Sequence, residues 1–440
     1  MSTKPPSGTR DFLPNDIRRR EYVINIVRGV YERYGFEPLE TPAFENIETL
    51  LGKYGEEGNK LIFKILRRGE HETTGEADLA LRYDLTVPLA RVVAQHQNEL
   101  PRFFKRYQIQ PVWRADRPAR ARFREFYQCD IDAIGTTSLV VEVEVLAAVS
   151  EVLERLGFHD FVVRLNHREL LTALLKTAGV SKHLHADALV AIDKLDKVGR
   201  KEVRQELIAR DIAAKSADKC LELFETGFPA AMRVALRDDS RGVQAIDQLE
   251  EIREMAARTC AAGHLRVDPS LARGLSYYTG TIMEVAVPDL AGSLGGGGRY
   301  DNLIGMFLGK DIPACGFSLG LERIIVVMSE RNMFPPEVAG SAVDVIVTIW
   351  SHETRGESLA LADELRKAGL RVDVYPEADK LGKQFKYASG RNVPFVAILG
   401  DDERARGEVA IKDLRTGEQK SVGRGDVATF LRAPHVEPRT

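Results

Sequence analysis

Cysteine is scarce in this chain. Its 440 residues hold four, Cys129, Cys220, Cys260 and Cys315, far apart and in no C-x-x-C pair. A cysteine-built zinc site or a disulfide framework is therefore not expected, and reduced thiols in a cytoplasmic protein fit best. Long apolar runs are also missing: no stretch of ~18 apolar residues exists to span a bilayer, so no membrane partner is expected. Residues 1–14 are polar and proline-rich, with no apolar signal-like core. The nine histidines include no H-E-x-x-H spacing, and His183 and His185 sit in a polar stretch that reads as surface. No metal ligand is assigned from the protein. A formal net charge of -3 gives no global positive field, so any nucleic acid must be held by local patches. The length and the 44% hydrophobic fraction suit a globular chain of about two to four domains.

One such patch is dense. Arg114, Arg117, Arg120, Arg122 and Arg124 fall within eleven residues and run into Phe126-Tyr127-Gln128-Cys129-Asp130-Ile131-Asp132. Residues 104–114 and 124–134 read as strands flanking this arginine segment, an antiparallel hairpin with a mobile loop. Side chains alternate along a strand, so Arg124, Phe126, Gln128, Asp130 and Asp132 share a face. An arginine fork binds phosphate oxygens bidentately. Gln128 donates or accepts, and Asp132 accepts from a cationic or N–H group. The alternative is a solvated, charged hairpin tip.

Around this hairpin the chain divides. Residues 16–34 have helical periodicity, with Gly35 as a C-cap. Strands are expected at 36–41, 61–66 and 79–83, and helices at 86–95, with Pro88 in the first turn, and at 139–156. Residues 166–262 read as an inserted helical domain, which splits the first domain into 1–165 and 263–330. Strand signals return at 265–267, 277–285 and 295–298, and a helix at 320–329. A linker is expected at 331–341. Residues 342–440 follow with a β-α-β-α-β pattern (strands 343–349, 370–374 and 395–399, helices 354–368 and 381–389) and a largely parallel sheet.

Four further strings carry possible chemistry. In Arg82-Tyr83-Asp84-Leu85-Thr86-Val87-Pro88, Asp84 and Thr86 suit an ammonium group, or cap the following helix. In Leu271-Ala272-Arg273-Gly274-Leu275-Ser276-Tyr277-Tyr278-Thr279-Gly280, Arg273 can face a developing phosphate charge and a tyrosine can offer a hydroxyl; a half-buried strand is the plainer reading. Gly292, Gly295, Gly296, Gly297 and Gly298, followed by Arg299-Tyr300-Asp301, let backbone approach a ligand closely, or make a tight strand crossing. They form neither a phosphate-binding loop nor a dinucleotide turn. In Gly320-Leu321-Glu322-Arg323, Arg323 lies in the first turn of a helix whose N-terminus favours anions, or is an exposed helix arginine.

Taken together, these strings resemble a class II aminoacyl-tRNA synthetase of the histidyl family. The long first helix with its strand up to Pro42, the hairpin with Arg114 and the Gly320–Arg323 string match the three class signatures. The histidyl assignment rests on the Arg82–Pro88, Ala272–Gly280 and Gly297–Asp301 strings. The resemblance implies an α+β fold: a six-stranded antiparallel sheet flanked by helices, the helical insertion, and a C-terminal α/β anticodon-binding domain. It implies activation of L-histidine by ATP, with Mg2+ carried on the phosphates, transfer to the 3′ end of tRNA(His), and a homodimer.

By the same resemblance, Asp84 and Thr86 hold the α-amino end of histidine, Gln128 its backbone atoms, and Asp132 and Tyr278 its imidazole nitrogens, while Tyr277 lines the pocket. Arg114, Asp116, Arg122 and Arg323 belong to ATP. Arg273, at the α-phosphate and the histidine, and Arg114 are the catalytic pair. Two positions depart from the family pattern: Asp116 stands where Glu is usual, and Ser276 where an acid is usual. Competing resemblances are a regulatory relative serving a phosphoribosyltransferase and a non-catalytic tRNA sensor. Residues 342–440 and Arg273 argue against the first, and the lack of kinase motifs against the second. Anticodon bases are expected to be read at 342–440, where Lys380, Lys383, Lys386 and Arg391 are candidates or merely a solvated face.

Overall fold

The computed structural model describes residues 3–67, 75–272 and 277–433. It divides into two compact units, Met1–Met333 and Phe334–Thr440.

The first unit opens with a helix at Pro14–Arg33, which buries Val23, Val27, Val30 and Tyr31, one stripe of the 3.6 period. Gly35 follows with φ +75, the left-handed conformation that ends a helix without steric penalty. The strands in chain order are β1 (Glu37–Pro38), β2 (Phe44–Asn46), β3 (Lys64–Leu66), β4 (Ala77–Leu81), β5 (Phe104–Trp113), β6 (Glu125–Ile134), β7 (Val162–His167), β8 (Leu265–Val267), β9 (Thr281–Ala286), β10 (Ser293–Arg299) and β11 (Ala314–Gly320). Eight of them form one sheet in the order β1-β5-β6-β11-β10-β9-β7-β8. The six from β5 to β7 are antiparallel throughout. They are the expected six-stranded sheet, extended at each edge by a short parallel strand, β1 on β5 and β8 on β7. The expected strand at 36–41 shrinks to the two residues of β1; Pro38 has no N–H to continue a ladder. Strands β2, β4 and β3 make a separate small sheet.

Alternation along β6 sorts the two faces. Cys129 and Ile131 are fully buried, and the Tyr31 hydroxyl of the first helix donates to the Cys129 carbonyl at 3.2 Å. Gln128, Asp130 and Asp132 point the other way, into a cavity. An apolar cluster around the helix Thr86–Gln95 supports the cavity's end, with Tyr54, Tyr83, Val87, Tyr277 and Tyr300 among its members.

The inserted helices run from Arg168–Thr177 to Ser240–Ala256. Asn166 and His167, expected to begin that insertion, are strand residues of β7. The chain turns helical only after His167, whose Nδ1 accepts from the Glu169 N–H at 3.1 Å.

In the second unit, β12 (Val345–Val347), β13 (Val372–Val374) and β14 (Phe395–Ile398) are parallel, β15 (Glu408–Asp413) pairs antiparallel with β14, and β16 (Gln419–Gly423) pairs antiparallel with β15. The sheet, ordered β13-β12-β14-β15-β16, is thus mixed, with an edge hairpin that the expected β-α-β-α-β pattern does not contain. Helices Arg355–Lys367 and Leu381–Gly390 cover it.

Candidate functional site

Strand register builds the cavity floor. Gln128, Asp130 and Asp132 of β6 stand opposite Gly320, Ser318 and Gly316 of β11. Ser318 and Gly316 stand opposite Gly296 and Gly298 of β10. Gly296 in turn faces Glu284 of β9. The glycines remove side chains from the middle of this floor and leave a cavity of about 320 Å³. Asp84, Thr86, Arg114, Asp116, Arg122, Gln128, Asp132, Tyr277, Tyr278 and Arg323 all border it. Arg273 and Ser276 lie outside the described residues.

One end is acidic and hydroxyl-rich. Asp84 is 2% exposed. Its Oδ1 accepts from the Tyr54 hydroxyl at 2.9 Å and the Val87 N–H at 3.1 Å, while the Tyr277 hydroxyl lies 3.5 Å from Oδ2. Asp84 thus serves both readings of its string: it braces the first turn of the helix and faces the cavity. Burial raises its pKa, against the Val87 hydrogen bond and the charge of Arg114. Tyr277 and Tyr278 pack edge to face at 5.0 Å. Burial raises both phenols above their ordinary value, so both are hydroxyl donors at neutral pH.

Asp132 is held from two sides. The Tyr300 hydroxyl donates to Oδ1. Arg106 Nη2 stands 2.8 Å from Oδ2 as an ion pair, and Oδ2 has no hydrogen-bond partner among the described residues. Arg106 is fully buried, and its Nη2 is 3.9 Å from Asp130 Oδ2. One guanidinium therefore faces two buried carboxylates. Burial, and then the charge of Asp132, push the Asp130 carboxyl up to about 7 even though Arg106 pulls it down. Burial raises Asp132 as well, again opposed by Arg106 and by the Tyr300 hydrogen bond. Gln128 Nε2 donates to Ser318 Oγ at 2.6 Å, while its Oε1 has no hydrogen-bond partner among the described residues. An unsatisfied buried amide oxygen is costly and suits a ligand donor.

The other end is basic. The Arg114 guanidinium lies over the Tyr83 ring at 4.3 Å and near Phe126 at 5.2 Å, and its Nε donates to the Tyr83 carbonyl at 3.1 Å. Arg122 forks onto Asp116 at 3.0 and 2.8 Å. Arg323 Nη1 donates to the Ser293 carbonyl at 2.5 Å. Two more arginines of the run are spent on structure: Arg120 pairs with Glu330, and Arg124 donates to the backbone carbonyls of Asp116 and Ser7 at 3.0 and 3.2 Å.

Sequence reasoning assigned no role to Arg106, Asp130, Tyr300, Ser318 or Glu284. Arg106, Gln108 and Gln110 alternate along β5, a polar face legible as such, but the register that sets Arg106 opposite Asp132 leaves no trace in the sequence. Glu322 belongs to the Gly320–Arg323 string, with no role expected for it. It accepts from Arg20 Nη1 at 2.7 Å and from the Tyr127 N–H at 2.8 Å, and so ties the first helix to β6.

Residues 8–324 match the family described as Histidyl-tRNA synthetase, and residues 344–433 the one described as Anticodon binding domain. The chain is 41% identical to the histidine–tRNA ligase of Flavobacterium johnsoniae, over 96% of this chain and 98% of that one. It is 42% identical to that of Porphyromonas gingivalis, over 97% and 98%. The crystal structure of histidyl-tRNA synthetase from Nostoc superposes with a TM-score of 0.83 at 32% identity, covering 98% of this chain and 99% of that one.

Proposed function

The chain belongs to the histidyl-tRNA synthetase family, and we propose that the cavity between Asp132 and Arg323 is where it joins histidine to ATP. It is a histidine–tRNA ligase, an ATP-using aminoacyl-tRNA synthetase that binds tRNA.

The acidic end receives L-histidine. Asp84 and Thr86 take the α-ammonium group, and Gln128 contacts the backbone atoms. Asp132 accepts from one imidazole nitrogen while the Tyr278 hydroxyl pairs the other. A site that pairs both nitrogens leaves buried polar groups unsatisfied when an apolar amino acid enters, which rejects it by ~10⁴ or more. Arg106 and Tyr300 aim Asp132. The basic end receives ATP with Mg2+ on its phosphates. Arg114, stacked on Tyr83, and Arg323, at the head of its helix, hold the phosphates, and Asp116 steadies Arg122 beside them.

A histidine carboxylate oxygen attacks the α-phosphorus in line, pyrophosphate leaves, and Arg273 stabilises the charge that develops on the α-phosphate oxygens. The terminal ribose hydroxyl of tRNA(His) then attacks the acyl carbon and AMP departs. Anticodon bases are read by the second unit, where the helix Leu381–Gly390 carries Lys383 and Lys386. The protein works as a cytoplasmic homodimer.

The observation that carries this reading is the polarity of one cavity, with Asp84 and Asp132 at one end and Arg114, Arg122 and Arg323 at the other. Histidine-dependent exchange of pyrophosphate into ATP tests it. Exchange with histidine and with no other amino acid is expected. Arg273→Ala should cut the rate about 10²–10³-fold, as loss of one transition-state contact does, with a much smaller loss of histidine binding; an unchanged rate refutes its role.

A further inference from the structure

Arg164 of β7 stands opposite Glu284 of β9 and beside Arg266 of β8. Its side chain is 18% exposed and has three carboxylates around it: Asp268 Oδ2 at 2.7 Å, Asp196 Oδ2 at 3.3 Å and Glu284 Oε1 at 3.4 Å. The three come from different parts of the unit. Glu284, 6% exposed, borders the cavity next to Gly296. Asp268 starts the turn that leads through Leu271 to Ala272. Asp196 belongs to Leu195–Val198, a short helix of the insertion.

The turn is pinned closely. Asp268 Oδ1 accepts from the Ser270 N–H at 2.9 Å and the Ser270 hydroxyl at 2.7 Å. Asn166 Nδ2 donates to the carbonyls of Pro269 and Leu271 at 3.0 and 2.9 Å. Burial disfavours the charge on Arg164, but Asp268, Glu284 and Asp196 together raise its pKa above the ordinary arginine value. A planar guanidinium can serve several carboxylates at fixed angles, which a lysine ammonium cannot.

We propose that Arg164 is a positioning residue for histidine activation: it fixes Glu284 on the cavity floor and the turn at 268–272, and ties both to the inserted helices through Asp196. Arg164 does not border the cavity, so it acts through these partners. The role rests on the reading of that cavity as the activation site. Without the guanidinium, Glu284 and Asp268 are like charges with no cation shared between them, and the link from both to Asp196 is lost.

Pyrophosphate exchange by the full chain tests this, with kcat and KM measured separately and Tm recorded for every variant. Arg164→Ala should lower kcat on the order of 10–100-fold, the usual loss when a residue supporting a site is removed, with KM for histidine within about twofold. Arg164→Lys, which keeps charge but not the fork, should recover part of that loss. The double variant Arg164→Ala/Glu284→Gln should be no slower than the slower single variant, because residues acting as a unit are not additive. Asp196→Ala, which does not border the cavity, should lower kcat about threefold, a coupling well under 1.4 kcal/mol. It decides the matter if Arg164→Ala fails to fold. An unchanged kcat in Asp196→Ala or Arg164→Ala, or single losses that multiply in the double variant, overturns the role. Absence of exchange in the parent protein overturns the cavity reading and this inference with it.

Discussion

Gly316 vacates the space that Asp132 fills: a Cβ at residue 316 would stand 1.9 Å from Asp132 Oδ1 and 2.7 Å from the Ile131 carbonyl oxygen. The two residues are partners across β6 and β11. The carboxylate lies over the glycine and meets the Tyr300 hydroxyl and Arg106 there. Gly316→Ala must push Asp132 aside and so misplace the proposed acceptor for the imidazole. KM for histidine should rise at least about tenfold, or 1.4 kcal/mol of binding, while KM for ATP stays within about twofold. Steady-state exchange kinetics check this, and an unchanged histidine KM sinks it.

Asp130 makes stability depend on pH in an unusual direction. Its carboxyl, pushed up to about 7 mainly by burial, binds a proton more tightly in the folded than in the unfolded protein. Its contribution to stability is therefore full below the unfolded value near 4 and is lost as pH rises through the folded value near 7. Asp130→Asn carries no such proton. Relative to the parent it should gain a few kcal/mol between about pH 4.5 and pH 7.5, since each unit of pKa difference is about 1.4 kcal/mol. Urea unfolding across that range measures the difference, and a flat profile rules the effect out.

Glu142 and Arg299 form a brace on the opposite face of the sheet from the cavity floor. Arg299 Nε and Nη2 donate to Glu142 Oε1 and Oε2 at 2.6 and 2.8 Å, with side chains 8% and 0% exposed. Glu142→Gln leaves the buried Arg299 only its 3.2 Å ion pair with the more exposed Asp301, so the cost should approach, without reaching, the about 3–5 kcal/mol of a buried charge left unpaired. Urea unfolding should show the loss. Exchange kinetics of the folded variant should stay near the parent's. A loss below about 1 kcal/mol would contradict the buried-pair argument.

Periodicity carried much of this fold. The helix expected at 86–95 is Thr86–Gln95, and the hairpin strands fall within one residue of their expected ends. Alternation alone put Gln128, Asp130 and Asp132 on one face. What alternation cannot carry is register, because hydrogen-bonded partners are chosen by tertiary packing. Arg106 is 26 positions from Asp132, and nothing local joins them. Edge strand β8 falls on the expected 265–267, whereas β1 keeps only two residues of the expected 36–41, too few to show a period.

Two arginines within the identifying strings turn out to be internal braces. Arg82 donates to the carbonyls of Thr41 and Pro111 and to Gln110 at 2.6, 2.9 and 2.9 Å, and Arg299 holds Glu142. Sequence strings record both kinds of demand without separating them.

The Asp116–Arg122 pair shows how far a structural contact can serve a substrate. Asp116 is 8% exposed at the cavity edge, and Arg122 is its fork partner. If the carboxylate holds Arg122 toward the ATP phosphates, Asp116→Ala and Arg122→Ala should each raise KM for ATP several-fold, and the double variant should be no worse than the worse single one. A residual coupling of about 1 kcal/mol is expected from the cycle, because the two side chains touch. The backbone at 116 should stay in place in both variants, since Arg124 Nε still donates to its carbonyl at 3.0 Å. Asp116→Glu, with a longer stem and the same charge, should restore most of the ATP affinity. Independent, multiplying losses in the double variant would mean that Asp116 reaches the nucleotide without Arg122.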